Sequence, residues 1–181
     1  MSTAHVDIHS ELISRCKQGD RAAQHEIYKL YARGMYNTAV RIIQDREDAR
    51  DVLQDAFIDM YTKLDSFREE STFGAWFKRI VVNKSLNHIK KARPQVLDFE
   101  GVDFEYDDEP YSEPFDYSVG DVKKAMKKLS DGYKMVFDLY MFEGFSHKEI
   151  ASYLGITEAT SKSQLSRAKV KIRELLNPKN H

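Results

Sequence analysis

The chain has 181 residues, 41% hydrophobic and 31% charged, with only 8 Gly and 4 Pro, a balance that supports packed helical cores and excludes global disorder. The formal charge of −1 hides an uneven spread: residues 1–93 carry 16 Lys/Arg against 13 Asp/Glu, residues 94–121 none against 10, and residues 122–181 carry 12 against 6. Two basic parts thus flank one very acidic part, and Cys16, the only cysteine, excludes a disulfide framework or a Cys-based zinc site within one chain. The stretch MSTAHVDIHSELISRCK has no apolar run of the signal-peptide kind. No stretch approaches the roughly 20 apolar residues of a bilayer span. A cytoplasmic location is expected.

In chain order, Ile8, Leu12, Ile13 and Cys16 share one helical stripe, which Gly19-Asp20 breaks. Ile27, Leu30, Tyr31, Met35, Ala39, Ile42 and Ile43 then recur at three-to-four spacing and predict a second helix with those residues inward. Asp45 starts a third, with Ala49, Val52, Leu53, Ala56, Phe57, Met60 and Leu64 inward. Its other side holds Asp45, Glu47, Asp48, Asp51, Asp55 and Asp59, with Gln54 between them and Arg46 and Arg50 interspersed. Such a face repels DNA; it suits either solvent or a basic protein partner.

Residues 66–71 read as a loop. Phe73, Trp76, Phe77, Ile80, Val81 and Ile89 define a fourth helix within STFGAWFKRIVVNKSLNHIKKAR, which holds six Lys/Arg and no acid. Aromatic side chains beside a basic helix suit stacking on unpaired bases and tracking a phosphate backbone. Phe77 fits a core position better, and Trp76 fits either role. Asn83 and Asn87 are four apart and share a face with Lys90. Residues 8–93 are therefore expected to form one all-α domain.

Residues 94–121 lose the helical period, hold three of the four prolines and six aromatics, and read as an extended acidic linker. Asp107, Asp108 and Glu109 read as solvated linker charge rather than a cation site. From residue 122 to 177 the helical pattern returns, and Pro178 ends it. Within it lies FSHKEIASYLGITEATSKSQLSRAK. Ser146 and Glu149 fit a capping box, Ile150, Ala151 and Leu154 form an inward face, and Gly155 suits a left-handed turn. Thr157 caps a second helix running to about Leu176, which is expected to expose Thr160, Lys162, Ser163, Gln164 and Arg167. Gln pairs well with adenine and Arg with guanine, while Ser and Thr serve phosphates or either kind of base. Lys169, Lys171 and Arg173 add charge further along. The turn and the positive balance together predict a DNA-reading helix-turn-helix.

DREDARDVLQDAF, FREESTFGAWFKRIVVNKSLNHIKK and LSDGYKMVFDLYMFEGFSHKEIASYLGITEATSKSQLSRAKVKIREL resemble, in that order, regions 2 and 4 of a sigma-70 family factor of the extracytoplasmic function (ECF) group. The resemblance implies a region 2 domain at residues 8–93, a linker at 94–121 and a region 4 domain at 122–177. It implies RNA polymerase binding through Asp48, Asp51, Gln54, Asp55 and Phe57, which would meet the clamp helices of the largest polymerase subunit. It implies −10 promoter recognition and melting through Phe67, Arg68, Trp76, Arg79, Asn83, Lys84 and Asn87. It implies −35 recognition through Thr160, Ser161, Lys162, Ser163, Gln164 and Arg167. Core RNA polymerase, promoter DNA and an anti-sigma factor are the implied partners, and the linker is expected to thread toward the polymerase cleft. Ser161 stands where many members carry an apolar residue, and Asn87 where many carry Asp.

No P-loop, GxGxxG, GxSxG or HExxH is present, so neither an enzyme nor a cofactor is expected. The competing reading is a helix-turn-helix regulator that binds duplex DNA without polymerase, usually as a dimer on paired half-sites.

Overall fold

The computed structural model describes residues 9–97, 99 and 118–177, and its contacts divide the chain into two units that meet between Ala92 and Arg93. Ile8 and most of the acidic segment, residues 98 and 100–117, lie outside the described residues. All the regular elements among the described residues are helical.

The first unit holds α1 (Ser10–Lys17), α2 (Arg21–Ile43), α3 (Arg46–Thr62) and α4 (Phe73–Ala92). Two of its helix starts follow from short acidic side chains. The Asp20 carboxylate accepts the amides of Ala22 and Ala23 and also Arg15 at 2.6 Å, which turns the chain sharply from α1 into α2. Asp45 accepts the amides of Glu47 and Asp48 and opens α3 in the same way. Between α2 and α3, Gln44 takes the left-handed conformation that ends a helix.

Helices α2, α3 and α4 pack mutually, and α1 lies on α2. Their shared interior is built from Ile27, Met35, Ala39 and Ile43 of α2, Ala49, Leu53, Ala56, Phe57 and Met60 of α3, and Phe73, Phe77 and Val81 of α4. Aromatic rings join the three at one point: Phe57 and Phe77 meet at 4.8 Å, and Tyr31 stands edge-on to Phe73 at 5.1 Å. The Tyr61 hydroxyl donates to the Gln24 carbonyl at 2.6 Å, bonding α3 to α2, and burial pushes this phenol up to about 12. Leu30, expected inward, is 52% exposed. Leu30 lies off the faces of α2 that α1, α3 and α4 cover.

The second unit holds α5 (Val119–Met126), α6 (Asp131–Met141), α7 (His147–Leu154) and α8 (Glu158–Leu176). The start of the acidic segment was expected to be extended, but Pro94–Leu97 forms a 3-10 turn that packs on α6. Phe99 follows it and lies against Gly132, where any Cβ would come within 3.2 Å of the ring. That close approach accounts for glycine in the first turn of α6.

Helix α8 packs on α5, α6 and α7. The capping box is present: Glu149 N–H donates to Ser146 Oγ at 3.3 Å, and Ser146 N–H donates to Glu149 Oε2 at 2.9 Å. Gly155 ends α7 with φ +70, where a side chain would be strained. The Thr157 hydroxyl then accepts the Thr160 amide and starts α8.

Phe77 is fully buried, and the only tryptophan, Trp76, stands beside it in the chain. Phe77→Ala is expected to cost about 3–5 kcal/mol of first-unit stability. Urea unfolding followed by Trp76 fluorescence measures it.

Candidate nucleic-acid interface

Helix α4 divides its surface by the helical period. Phe73, Phe77, Val81, Val82, Ser85, Leu86 and Ile89 are buried, while Arg79, Asn83, Asn87 and Lys90 are exposed at spacings of four, four and three. The exposed four form a continuous polar stripe along the helix. Arg68 stands exposed in the loop that precedes it.

The two aromatic candidates part company. Phe67 is buried, with its ring 5.6 Å from Phe73 and 5.3 Å from Trp76. Its ring, expected at DNA, packs in the core here and supports Trp76 from behind. Trp76 is half-buried on that support and keeps part of its surface outward.

Helix α3 carries its acids along one flank. Asp51 and Asp55 are exposed, but the acids at the ends of the row are engaged with α4. Asp48 Oδ2 lies 3.0 Å from His88 Nε2, and Asp59 Oδ2 accepts from Lys84 at 3.2 Å and from Lys63 at 3.1 Å. Partial burial pushes the Asp59 carboxyl up, yet the hydrogen bonds from Lys63 and Lys84 prevail and hold it below the ordinary carboxylate value. Asp48 and Lys84, expected to serve two different partners, are thus both held in pairs that clamp α3 to α4. Periodicity cannot show such pairing.

On the other side of α3 the structure reveals a groove against α2, about 650 Å³ in volume, lined by Tyr28, Arg33, Tyr36, Arg50, Gln54 and Ile58 with Phe57 beneath. Tyr28 is 48% and Ile58 63% exposed, so the groove presents apolar surface with arginines at hand. Phe57, expected at a protein partner, is itself buried at 5% exposure and forms the floor under Tyr28 at 4.8 Å. Tyr28, Tyr36 and Ile58 escaped the sequence reading. Their signal was a large apolar residue off the inward stripe on each of two adjacent helices.

On α8 the expected exposures need a second correction. Lys162 is exposed, and Thr160 and Arg167 are partly so, but Ser161, Ser163 and Gln164 are buried. The reason is the width of the buried face. A helix lying on α5, α6 and α7 at once turns Ser161, Gln164, Leu165, Ala168 and Ile172 inward. Ser163 Oγ donates to the Thr160 carbonyl within the helix. Gln164 Oε1 lies 3.9 Å from where a Gly132 Cβ would stand. The outward side instead adds Ser166 and Lys169 to Lys162. Ser166 was missed because a serine between leucine and arginine carries no signal of its own.

Ser161 meets His147, whose Nδ1 lies 2.9 Å from its hydroxyl oxygen, and the imidazole stacks on Tyr140 of α6 at 4.6 Å. Burial, then the charges of Lys162 and Lys169, hold the imidazole below the ordinary histidine value, with Glu158 opposing them. The unfolded chain, titrating near ~6.5, then takes up the proton first. Stability is full above that value and is lost as pH falls through it toward the lower, folded one. Protection factors of α7 and α8 amides are expected to fall between pH 7.5 and pH 5.5, and to fall less in His147→Phe.

Among the described residues, no helix is long and apolar enough to cross a membrane, and no cluster of His, Cys, Asp or Glu has the makings of a metal site. Residues 27–95 match the Sigma-70 region 2 family, and residues 120–172 match the Sigma-70, region 4 family. The RNA polymerase sigma-H factor of Pseudomonas aeruginosa is 28% identical over 93% of each chain. The ECF RNA polymerase sigma-E factor of Haemophilus influenzae is 29% identical, over 92% of this chain and 94% of that one. Among solved structures, the sigma factor RpoE in complex with the anti-sigma factor NepR, from Bartonella quintana, superposes with a TM-score of 0.55 at 27% identity. That match covers 86% of this chain and 98% of the other. With both family regions matched in order on two separate helical units, and relatives alike over nearly their full length, the chain belongs to the sigma-70 family as an ECF-type RNA polymerase sigma factor.

Proposed function

We propose that the protein binds core RNA polymerase, directs it to −35 and −10 promoter elements, and helps to open the duplex. The observation that carries this reading is the division of labour within the first unit. Exposed Asp51, Gln54 and Asp55 stand on α3, and Arg68, Trp76, Arg79, Asn83 and Asn87 stand on or just before α4. A DNA strand is repelled by the first set and attracted by the second. A protein partner with basic helices fits the first set, together with the groove floored by Phe57.

Melting needs a surface that prefers unpaired bases. A half-buried Trp76 backed by Phe67 offers a rigid stacking platform, and the Arg79–Asn83–Asn87 stripe offers hydrogen bonds to bases and phosphates along it. The second unit would read −35 duplex DNA through Thr160, Lys162, Ser166 and Arg167 of α8, with Arg167 suited to a guanine edge. The Bartonella quintana relative is held in a complex with an anti-sigma factor, and such a partner would find on this chain the apolar groove between α2 and α3. The protein performs no chemistry itself in this reading; catalysis belongs to the polymerase.

The test is promoter opening with bacterial core polymerase, the full chain and a genomic fragment library. Polymerase-dependent transcripts sharing upstream elements, with permanganate-reactive thymines near −10, are expected. Sequence-specific duplex binding by the protein alone, indifferent to polymerase, would instead make it an ordinary regulator. Reversing Asp51 and Asp55 to Lys is expected to weaken core polymerase binding by at least about tenfold with the fold retained, read by competition for labelled polymerase. Arg167→Ala is expected to cost about 1–3 kcal/mol of −35 discrimination, read as open-complex yield on intact and altered −35 elements.

A further inference from the structure

Ser161 is the one candidate on α8 with no exposed surface at all, at 0%. A buried hydroxyl is costly unless bonded. Its bond runs to His147 Nδ1 at 2.9 Å, from the first residue of α7, whose ring also stacks on Tyr140 of α6 at 4.6 Å and 22°. One imidazole therefore joins α7 to both α6 and α8. The other buried residues of these two helices include apolar Ile150, Ala151 and Leu154 of α7 and Leu165 of α8. Apolar burial is non-directional: it holds the helices together while tolerating small rotations. A hydrogen bond weakens steeply when bent, so this one specifies the rotation of α8 about its own axis. Thr160 and Lys162 are the chain neighbours of Ser161, and a rotation at Ser161 re-aims both.

We propose that His147 is a positioning residue for DNA reading, acting through Ser161 to fix the angle at which α8 presents its outward side chains. The idea rests on the reading of α8 as the −35 helix. It also gives a reason for a polar residue at 161, where an apolar one would fill the same space: serine supplies direction to a contact that a methyl group would only fill.

The experiment compares holoenzymes assembled from core polymerase and the full chain, carrying wild type, His147→Phe, His147→Asn, Ser161→Ala or the double variant His147→Phe/Ser161→Ala. The probes are the strongest promoter from the fragment library and the same fragment with its −35 element scrambled. The quantity read is the ratio of open-complex yields on the two. His147→Phe keeps a flat ring for the Tyr140 stack and deletes Nδ1, and is expected to lower the ratio roughly five- to tenfold by weakening the intact promoter alone. The double variant should do no worse than His147→Phe, because removing both partners leaves no hydroxyl buried without a bond. His147→Asn, which returns a polar atom near the place of Nδ1, should recover most of the ratio.

An unchanged ratio in His147→Phe overturns the proposal, as does multiplication of the two single effects in the double variant. A parallel loss on both fragments also overturns it, since that is the mark of a general structural role. If the wild type itself fails to distinguish the fragments, the −35 reading has fallen and this inference falls with it. An unchanged ratio in His147→Phe beside a discriminating wild type sinks the inference alone.

Discussion

The contact of Phe57 with Phe77, two rings 4.8 Å apart where α2, α3 and α4 converge, is the constraint on which the first unit depends. Both rings are buried, so each must point inward. Once they do, the helical period leaves no freedom over what points outward. Phe77 inward sends Arg79, Asn83 and Asn87 to the far side of α4, and Phe57 inward sends Asp51 and Asp55 to the outside of α3. The outward faces need no separate specification. They are the complement of the core.

Apolar packing alone would still let the helices slide, and the polar pairs at the edges of the core limit that. Asp48 with His88 and Asp59 with Lys84 join α3 to α4 at two points eleven residues apart along α3. Partly exposed pairs of this kind contribute little to stability, commonly less than about 1 kcal/mol each. Their value is geometric: they set the register between an acidic surface and a basic one. In the second unit His147 and Ser161 stand in the same relation to α7 and α8, a directional bond laid over a non-directional core.

The starts of α3, α7 and α8 were legible in the sequence because their causes are local: Asp45, Ser146 and Thr157 accept amides within a turn of themselves, and Gly155 takes the positive φ that ends α7. The division of residues 119–141 into α5 and α6, and the start of α5 inside the acidic segment, were not read. What escaped depends on which side of a helix its neighbours cover. Leu30 was expected inward and is exposed because it lies off the faces of α2 that α1, α3 and α4 cover; Ser163 and Gln164 were expected outward and are buried on an α8 that packs on α5, α6 and α7. Phe67 escaped for a related reason: a loop aromatic has no period, and only the structure shows it lodged against Phe73. The groove beside Phe57 joins residues of α2 to residues of α3, and no single helical stripe contains it.

The charge of the chain follows the same logic at a longer range. A total of −1 would discourage any thought of DNA, yet the sum is dominated by residues 94–121, which hold ten acids and no base. Exposed charges interact over about 8–10 Å at ordinary salt, so a net value averaged over the whole chain is never felt by an approaching strand. What is felt is the local field: basic beside α4 and along α8, acidic along α3. Within the first unit the two signs lie on neighbouring helices, close enough to pair at their shared edge and opposed on their outer faces. A surface so divided favours two partners of opposite charge at once, since Asp51 and Asp55 repel a nucleic-acid strand that the stripe on α4 would attract.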